Sequence, residues 1–197
     1  HLFFLLMPKK ILKTAEPVVL EGFQNILQVS QYGNHQLEAI LGDDLVDILE
    51  NDRLGGLEWA RSKSKKGNNA PVNDEPWKKV AEGKYKARFT WTPDKMPVIV
   101  DTEGTPVTDK NLTIMNGSKV KLAFWQKPYS IPAGTVGTKL VLEAIQLVSV
   151  ASSAGVDAGD FQDMDPAEIF GKTKGFKQSE PNVVSDVSND DDQEADF

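Results

Sequence analysis

Alternation of apolar and polar residues marks two segments in the second half of the chain. Residues 84–91 read KYKARFTW, and residues 118–127 read SKVKLAFWQK. A period of two is typical of half-buried β-strands, because successive side chains point to opposite faces of a sheet. Both segments therefore predict strands that turn one face towards a core and present lysine or arginine on the other.

Shorter apolar runs predict the rest of the sheet. Residues 24–30 and 97–101 have the length of strands, and residues 36–41 fit either a strand or the start of a helix. Residues 138–150 are apolar on both faces, which is typical of a central strand. The segment 128–137, PYSIPAGTVG, has the proline and glycine content of a long loop.

One helix is predicted between these strands. Residues 44–53 carry apolar side chains at helical spacing and follow a capping aspartate, Asp43 or Asp44. The glycine pair that comes next is expected to interrupt this helix, and residues 57–61 then form a second short piece. Residues 62–76 are polar and contain two prolines, which predicts a loop.

These elements predict a mainly β protein, an OB-fold-like antiparallel β-barrel with one or two helices. We expect this domain to span residues 7–156.

The first six residues, HLFFLL, precede a natural-looking start at Met7 and are expected to be non-native or over-extended. They do not fit a signal peptide, because their apolar stretch comes before the lysines. No apolar run reaches the roughly 18 residues of a membrane span, so no membrane partner is expected.

Charge is divided between this body and the C-terminal segment. The chain has 22 Lys+Arg and 29 Asp+Glu, of which residues 157–197 hold 3 and 12, a net charge of −9. The remaining 19 basic and 17 acidic residues give residues 1–156 a net charge of +2. Within residues 61–139 the net charge is +8. A basic body of this kind suits an anionic partner although the whole chain is acidic.

The segment 157–197 is expected to be a mostly disordered acidic tail. Its last twelve residues contain six acids and no base, so it buries too little apolar surface to offset its ordering entropy. A terminal aromatic ring suits an anchor in a partner's pocket, although a tail that serves only solubility stays open. The partner-binding candidates are Asp190, Asp191, Asp192, Glu194, Asp196 and Phe197.

The residue types exclude several kinds of catalytic site. The chain has no cysteine, which excludes disulfides, cysteine-based zinc sites and thiol catalysis. Only His1 and His35 are present, so a serine triad or a histidine metal site would depend on His35 alone. The glycine-rich run 134–139 lacks the spacing of a phosphate-binding loop. No catalytic residue, metal or cofactor is predicted, and the protein is not expected to be an enzyme.

The polar faces of the two alternating strands hold the candidate binding residues. A groove lined with lysine follows a phosphate backbone, and aromatic rings in it stack on unpaired bases, each worth about 1–3 kcal/mol. A solvated sheet face with no ligand explains the same alternation equally well. The candidates are Lys84, Lys86, Arg88, Lys119, Lys121, Trp125 and Lys127, with Tyr129 in the loop that follows.

Residues 100–150 resemble the single-stranded DNA-binding protein of podovirus-type, short-tailed bacteriophages. The resemblance is carried by the order of short elements: Asp-x-x-Gly at 101–104, Gly-Ser-Lys at 117–119, Pro-Tyr at 128–129, Val-Gly at 136–137 and Lys-Leu-x-Leu-Glu at 139–143. The start MPKKI, the run TAEP and the acidic end Asp-Phe also fit. The region 22–80 matches poorly.

This resemblance implies an OB-fold core that binds and anneals single strands in phage DNA replication and recombination, in the cytoplasm of the infected bacterium. It implies a tail that binds the replicative DNA polymerase and the helicase–primase, and a homodimer. It adds Lys9 and Lys10 to the DNA-binding candidates and matches Lys86, Tyr129 and Phe197 to family positions. Arg88 stands where the family has a tyrosine, so stacking is expected to shift to Trp125.

Two other functions stay open from the residues alone. One is a protein-interaction adaptor whose barrel docks an acidic partner. The other is an RNA chaperone of the cold-shock type, which would prefer RNA over DNA.

Overall fold

The computed structural model describes residues 9–151, which form one mixed β-sheet with a helix packed on it. The expected N-terminal extension 1–6, the acidic tail and its partner-binding candidates from Asp190 to Phe197 lie outside the described residues. The strands are β1 (Leu12–Lys13), β2 (Val18–Val19), β3 (His35–Gly42), β4 (Trp77–Ala81), β5 (Lys84–Trp91), β6 (Val98–Val100), β7 (Lys119–Ser130) and β8 (Val136–Ser149). The helix α1 is Asp43–Lys63, and 3₁₀ turns cover Gly67–Asn69 and Pro93–Lys95.

The sheet is built around the long hairpin of β7 and β8. Its order is β1-β7-β8-β5-β3, with β2 also paired to β7, β4 to β5 and β6 to β8. The prediction of a central strand at 138–150 is confirmed, because β8 has β7 on one side and β5 and β6 on the other. The predicted strands at 84–91, 97–101 and 118–127 are confirmed as well.

The mainly β, OB-fold-like architecture is confirmed, but the sheet differs from a closed antiparallel barrel in two ways. Strand β8 runs parallel to β5 and to β6, because alternation along a strand does not encode the direction of its neighbour. The ladder is also open between β3 and the β1 side of the sheet. Here the backbone pairing between β3 and the segment that follows β2 consists of two isolated bridges, Leu20–Ala39 and Asn25–Gln36.

The core lies where the alternation places it. In β5 the side chains of Ala87 and Phe89 are fully buried, and in β7 those of Val120 and Phe124 are. Phe89 and Phe124 meet edge to face, with ring centroids 5.2 Å apart and planes at 74°. This geometry suits the aromatic quadrupole and fixes β5 against β7 across the core.

The helix is longer than predicted, and it runs through both glycines. The predicted break at Gly55-Gly56 was wrong, because the helix packs on β7 and β8 at this point. A Cβ on the buried Gly56 would lie 3.5 Å from Pro128 and Thr138. This packing offsets the helix cost of glycine, about 1 kcal/mol per residue. The predicted aspartate cap was also wrong. Gly42 is the N-cap without a side-chain bond, and Asp43 lies in the first turn, where its charge favours the helix dipole.

Three further boundaries differ from the prediction. Residues 24–30 form no strand and contribute one bridge, at Asn25. Strand β4 was missed, since WKKVA has no clear alternation. The predicted loop 128–137 shrinks to residues 131–135, because β7 continues to Ser130. Proline is tolerated in this last part of β7 because β8 is its only strand partner there, so Pro128 lies on an edge.

No helix within residues 9–151 is long and apolar enough to cross a bilayer.

We predict that Gly55→Ala raises the free energy of unfolding by about 0.5–1 kcal/mol. Gly55 lies inside α1 with open space around the position of an added Cβ, so alanine gains helix propensity without a clash. Urea unfolding followed by circular dichroism measures the change. Gly104→Ala is the matched control. This residue also has open space, but its φ of +83° strains an alanine, so stability falls by about 1–2 kcal/mol. Equal effects of the two changes would contradict this account of α1.

Candidate nucleic-acid interface

The outer face of the sheet gathers basic side chains from three strands. In β5 the core residues Ala87 and Phe89 alternate with Lys86 and Arg88, which therefore point outwards. In the β7–β8 hairpin Lys127 lies directly opposite Lys139. Since β8 lies between β7 and β5, all three strands contribute to one surface.

The centre of this surface is a cluster of three lysines, Lys95, Lys127 and Lys139. Lys95 comes from the 3₁₀ turn after β5, and the other two face each other across the hairpin. The cleft that they line also contains Trp125 and has no carboxylate in its wall. None of the three forms an ion pair with another residue between 9 and 151. Like charges directly opposite each other on paired strands destabilise a sheet, so this cluster costs folding energy.

The electrostatic cost is visible at Lys139. Partial burial lowers the pKa of its ammonium below the ordinary 10.5, and the charges of Lys127 and Lys95 lower it further. All three causes disfavour the charged form. An anion placed among these lysines would relieve the repulsion, which is the chemistry of a phosphate site.

A larger cleft of about 760 Å³ adjoins the cluster and shares Lys139 and Thr90 with it. Its basic side chains include Lys86 and Arg88, together with Lys78 of β4. Carboxylates also line this cleft. They come from Glu38, Asp74 and Glu75, and Glu38 lies opposite Arg88 in the β3–β5 ladder. The larger cleft is therefore less positive than the three-lysine cluster.

Tyr129 is held at the edge of the larger cleft by a glycine. It belongs to β7 rather than to the predicted loop, and it lies opposite Gly137 of β8. Its ring covers that glycine so closely that a Cβ there would come within 2.7 Å of Cζ. The Tyr129 hydroxyl accepts a hydrogen bond of 2.9 Å from Nδ2 of Asn73. The ring is thus positioned in advance beside Lys139.

Trp125 is held by two charged groups. Its Nε1 donates a hydrogen bond of 2.9 Å to Oε2 of Glu143 on β8. Lys9 Nζ lies 3.0 Å from the same carboxylate oxygen and 5.2 Å from the centroid of the Trp125 ring. The structure therefore brings Lys9 to Trp125, as a cation over the ring rather than as a free charge in the groove.

Four predicted residues lie apart from the cluster. Lys121 pairs with Gln146 in the other half of β7, and eight residues of strand place it about 26 Å from Tyr129. Lys119 lies further along, opposite Ser149. Lys84 is at the start of β5. Lys10 forms an ion pair of 3.0 Å with Asp52 of α1 and lines a separate cleft.

Sequence reasoning missed Lys95 and Lys139. The signal for Lys139 was available, because a five-residue loop at 131–135 places it directly opposite Lys127. Reading 128–137 as a loop concealed this pairing. Lys95 had no such signal, since its place depends on how the turn after β5 folds over the sheet.

No metal or histidine site emerges from the part of the chain that the structure describes. Within residues 9–151 no three of His, Cys, Asp and Glu are grouped closely enough to hold an ion. His35 is buried and stacked on Trp91, with ring centroids 5.5 Å apart and planes at 6°. Its Nδ1 lies 3.2 Å from the carbonyl oxygen of Asn25, so this histidine is a packed side chain.

Comparison with solved structures identifies proteins of the same fold. The chain resembles gp2.5, a single-stranded DNA-binding protein encoded by bacteriophage T7, with a TM-score of 0.60 and 20% identity over 87% of this chain and 100% of that one. It also resembles the single-stranded DNA-binding protein from bacteriophage Enc34, with a TM-score of 0.53 and 13% identity over 78% of this chain and 90% of that one.

The Enc34 protein in complex with single-stranded DNA gives a TM-score of 0.52 and 12% identity, over 72% of this chain and 88% of that one. No family model matches the chain, and no curated protein matches it significantly. The predicted resemblance to phage single-stranded DNA-binding proteins is confirmed at the level of the fold.

We predict that Tyr129 and Gly137 are energetically coupled. Gly137→Ala lowers the free energy of unfolding by about 1–3 kcal/mol, because the new methyl group collides with the ring. In a Tyr129→Ala background the same methyl group has room and costs less. Urea unfolding of the two single variants and the double variant measures the coupling, expected at about 1 kcal/mol. Additive effects would show that the ring does not lie over Gly137.

Proposed function

We propose that the chain is a non-catalytic protein that binds single-stranded DNA along the outer face of β5, β7 and β8. The observation that carries this proposal is the cluster of Lys95, Lys127 and Lys139, which lines a cleft without a carboxylate. Like charges placed opposite each other destabilise a sheet, and an anion bound among them would relieve that repulsion.

The rings beside the cluster favour a single strand over a duplex. Tyr129 and Trp125 are both half-buried, and both lie on the same strand as Lys127. Stacking requires unpaired bases, whereas a duplex hides its base faces. A phosphate backbone held by the lysines would bring bases to Tyr129, whose position is fixed by Gly137 and Asn73.

The solved proteins of the same fold support this choice of ligand. They are described as single-stranded DNA-binding proteins of bacteriophages, and one of them was solved with single-stranded DNA. We assign the central contacts to Lys86, Arg88, Trp125, Lys127 and Tyr129 and add Lys95 and Lys139. Lys9 is a supporting contact beside Trp125. The more distant candidates are secondary contacts for a longer strand: Lys10, Lys84, Lys119 and Lys121.

The resemblance extends this proposal to a role in the infected bacterial cell. There the protein coats and anneals single strands during phage DNA replication and recombination, as a homodimer. Its acidic tail, residues 157–197, recruits the replicative polymerase and the helicase–primase. The tail is also a polyanion with a net charge of −9, so it competes with DNA for the basic surface until DNA displaces it.

We predict that Lys127→Gln weakens binding to oligo-dT while slightly stabilising the fold. The substitution removes one phosphate contact, so the slope of log affinity against log salt falls by about 0.7. It also removes the repulsion with Lys139, so the free energy of unfolding rises by about 0.2–1 kcal/mol. Fluorescence anisotropy and urea unfolding measure the two effects.

Lys110→Gln is the matched control for this test, because Lys110 is exposed in a loop and lines none of these clefts. Oligo-dT affinity that is equal in the two variants would contradict the proposed role of the cluster. Stronger binding of an RNA oligonucleotide than of DNA would favour the RNA chaperone. No binding of either would favour the protein adaptor.

We predict that truncation after residue 176 raises the affinity for oligo-dT and steepens its salt dependence. The removed residues contain seven acids and one base, so a competing polyanion is lost. Anisotropy titrations of the full and truncated chains at two salt concentrations test this prediction. Unchanged affinity would show that the tail does not compete for the basic surface.

A further inference from the structure

A third cleft lies where the C-terminal end of α1 meets the β7–β8 hairpin. It is lined by the aromatic rings Trp59 and Tyr129, three lysines and the hairpin loop, and we call it the Trp59 cleft. Its lysines are Lys63, Lys65 and Lys127. No carboxylate lines it, so its charge has the same sign as that of the three-lysine cluster.

The walls of the Trp59 cleft are fixed to each other. The Ser64 hydroxyl, just after α1, donates a hydrogen bond of 2.5 Å to the carbonyl oxygen of Gly134 in the hairpin loop. Further back in the helix, the buried Gly56 packs on Pro128 of β7. A cleft held from both ends is preformed, so a ligand need not order it on binding.

Trp59 provides an aromatic surface in this cleft. The ring is half-buried and packs on a small apolar cluster that includes Ala60 and Val136. Lys63 Nζ lies 5.8 Å from the ring centroid. The indole Nε1 is buried and makes no hydrogen bond within the described part of the chain, so a leucine or phenylalanine at this position breaks none.

The Trp59 cleft is continuous with the basic surface on the sheet. Tyr129 lines both this cleft and the larger cleft, and Lys127 lines both this cleft and the three-lysine cluster. A strand that passes Tyr129 therefore meets lysine on either side of the ring. The complementary ligand for adjacent lysines and rings is an anionic chain that carries flat apolar groups.

We propose that the Trp59 cleft binds a further stretch of the same single strand, with a base on Trp59 and phosphates at Lys63 and Lys65. This inference rests on the proposed function and extends it, because it routes the strand from the sheet across Tyr129 onto the end of α1. The helix then contributes to the length of strand that one protomer covers.

The test compares two lengths of labelled oligo-dT, about 4 and about 16 nucleotides, which bracket the range for one OB-fold. Anisotropy is measured near physiological salt, where the Debye length is about 8 Å, so that charges farther apart than this are largely screened. Trp59→Leu and Lys63→Glu are each expected to lower the affinity of the full chain for the long strand by about tenfold. Affinity for the short strand, which the three-lysine cluster holds, stays within twofold.

Two controls accompany these variants. Trp59→Phe keeps a ring and should retain most of the affinity for the long strand. Lys110→Glu makes the same charge change as Lys63→Glu away from the cleft, and it should lower affinity for neither strand. Circular dichroism melting confirms that Trp59→Leu is folded at the temperature of the titration.

Each outcome decides the inference. Equal affinity of the variants and the unsubstituted chain for the long strand overturns it while leaving the proposed function intact. An equal loss for both lengths also overturns it, because the cleft would not then be an extension. If the Trp59 and Lys63 variants lose binding to an acidic peptide while their affinity for oligo-dT is unchanged, the inference is overturned in favour of a protein-docking cleft. If the unsubstituted chain binds neither oligonucleotide, the proposed function itself fails.

Discussion

The repulsion between Lys127 and Lys139 is the interaction on which this account depends. The β7–β8 hairpin holds the two ammonium groups opposite each other, and the turn after β5 adds Lys95. Partial burial and the neighbouring charges lower the pKa of Lys139. The cleft that these three lysines share has no carboxylate in its wall, and a bound phosphate would relieve the repulsion among them.

The scaffold places aromatic rings next to this charge by means of two glycines. Gly137 leaves room for the Tyr129 ring directly across the hairpin, and Gly56 lets α1 approach Pro128. The first contact fixes a ring beside Lys139, and the second brings the end of the helix to the same hairpin. Side chains from distant parts of the chain thus form one cationic and aromatic surface. Such a combination of charge and rings is complementary to an anionic chain that carries flat bases.

The alternation in the sequence was sufficient to predict β5 and the first part of β7, because one buried face imposes a strict period of two. It also separated the buried Phe89 and Phe124 from the outward lysines. What it could not supply was the pairing of strands. Lys121 and Lys127 look equivalent along the sequence, yet only Lys127 lies at the cluster, because β8 brings Lys139 to that end of the hairpin. The pattern also could not predict the full length of α1. A glycine pair in the sequence predicts a helix break, whereas Gly56 in the structure is a buried packing contact inside the helix.

The most direct test of the central claim is the pKa of Lys139, measured by NMR of its side chain in the free protein and with oligo-dT bound. In the free protein we expect a pKa below the ordinary 10.5, since the folded state disfavours the ammonium form. Bound phosphates favour the ammonium form, so the pKa should rise when DNA is added. A pKa of Lys139 that does not move on saturation with oligo-dT would contradict the assignment of this cluster as the DNA-binding site.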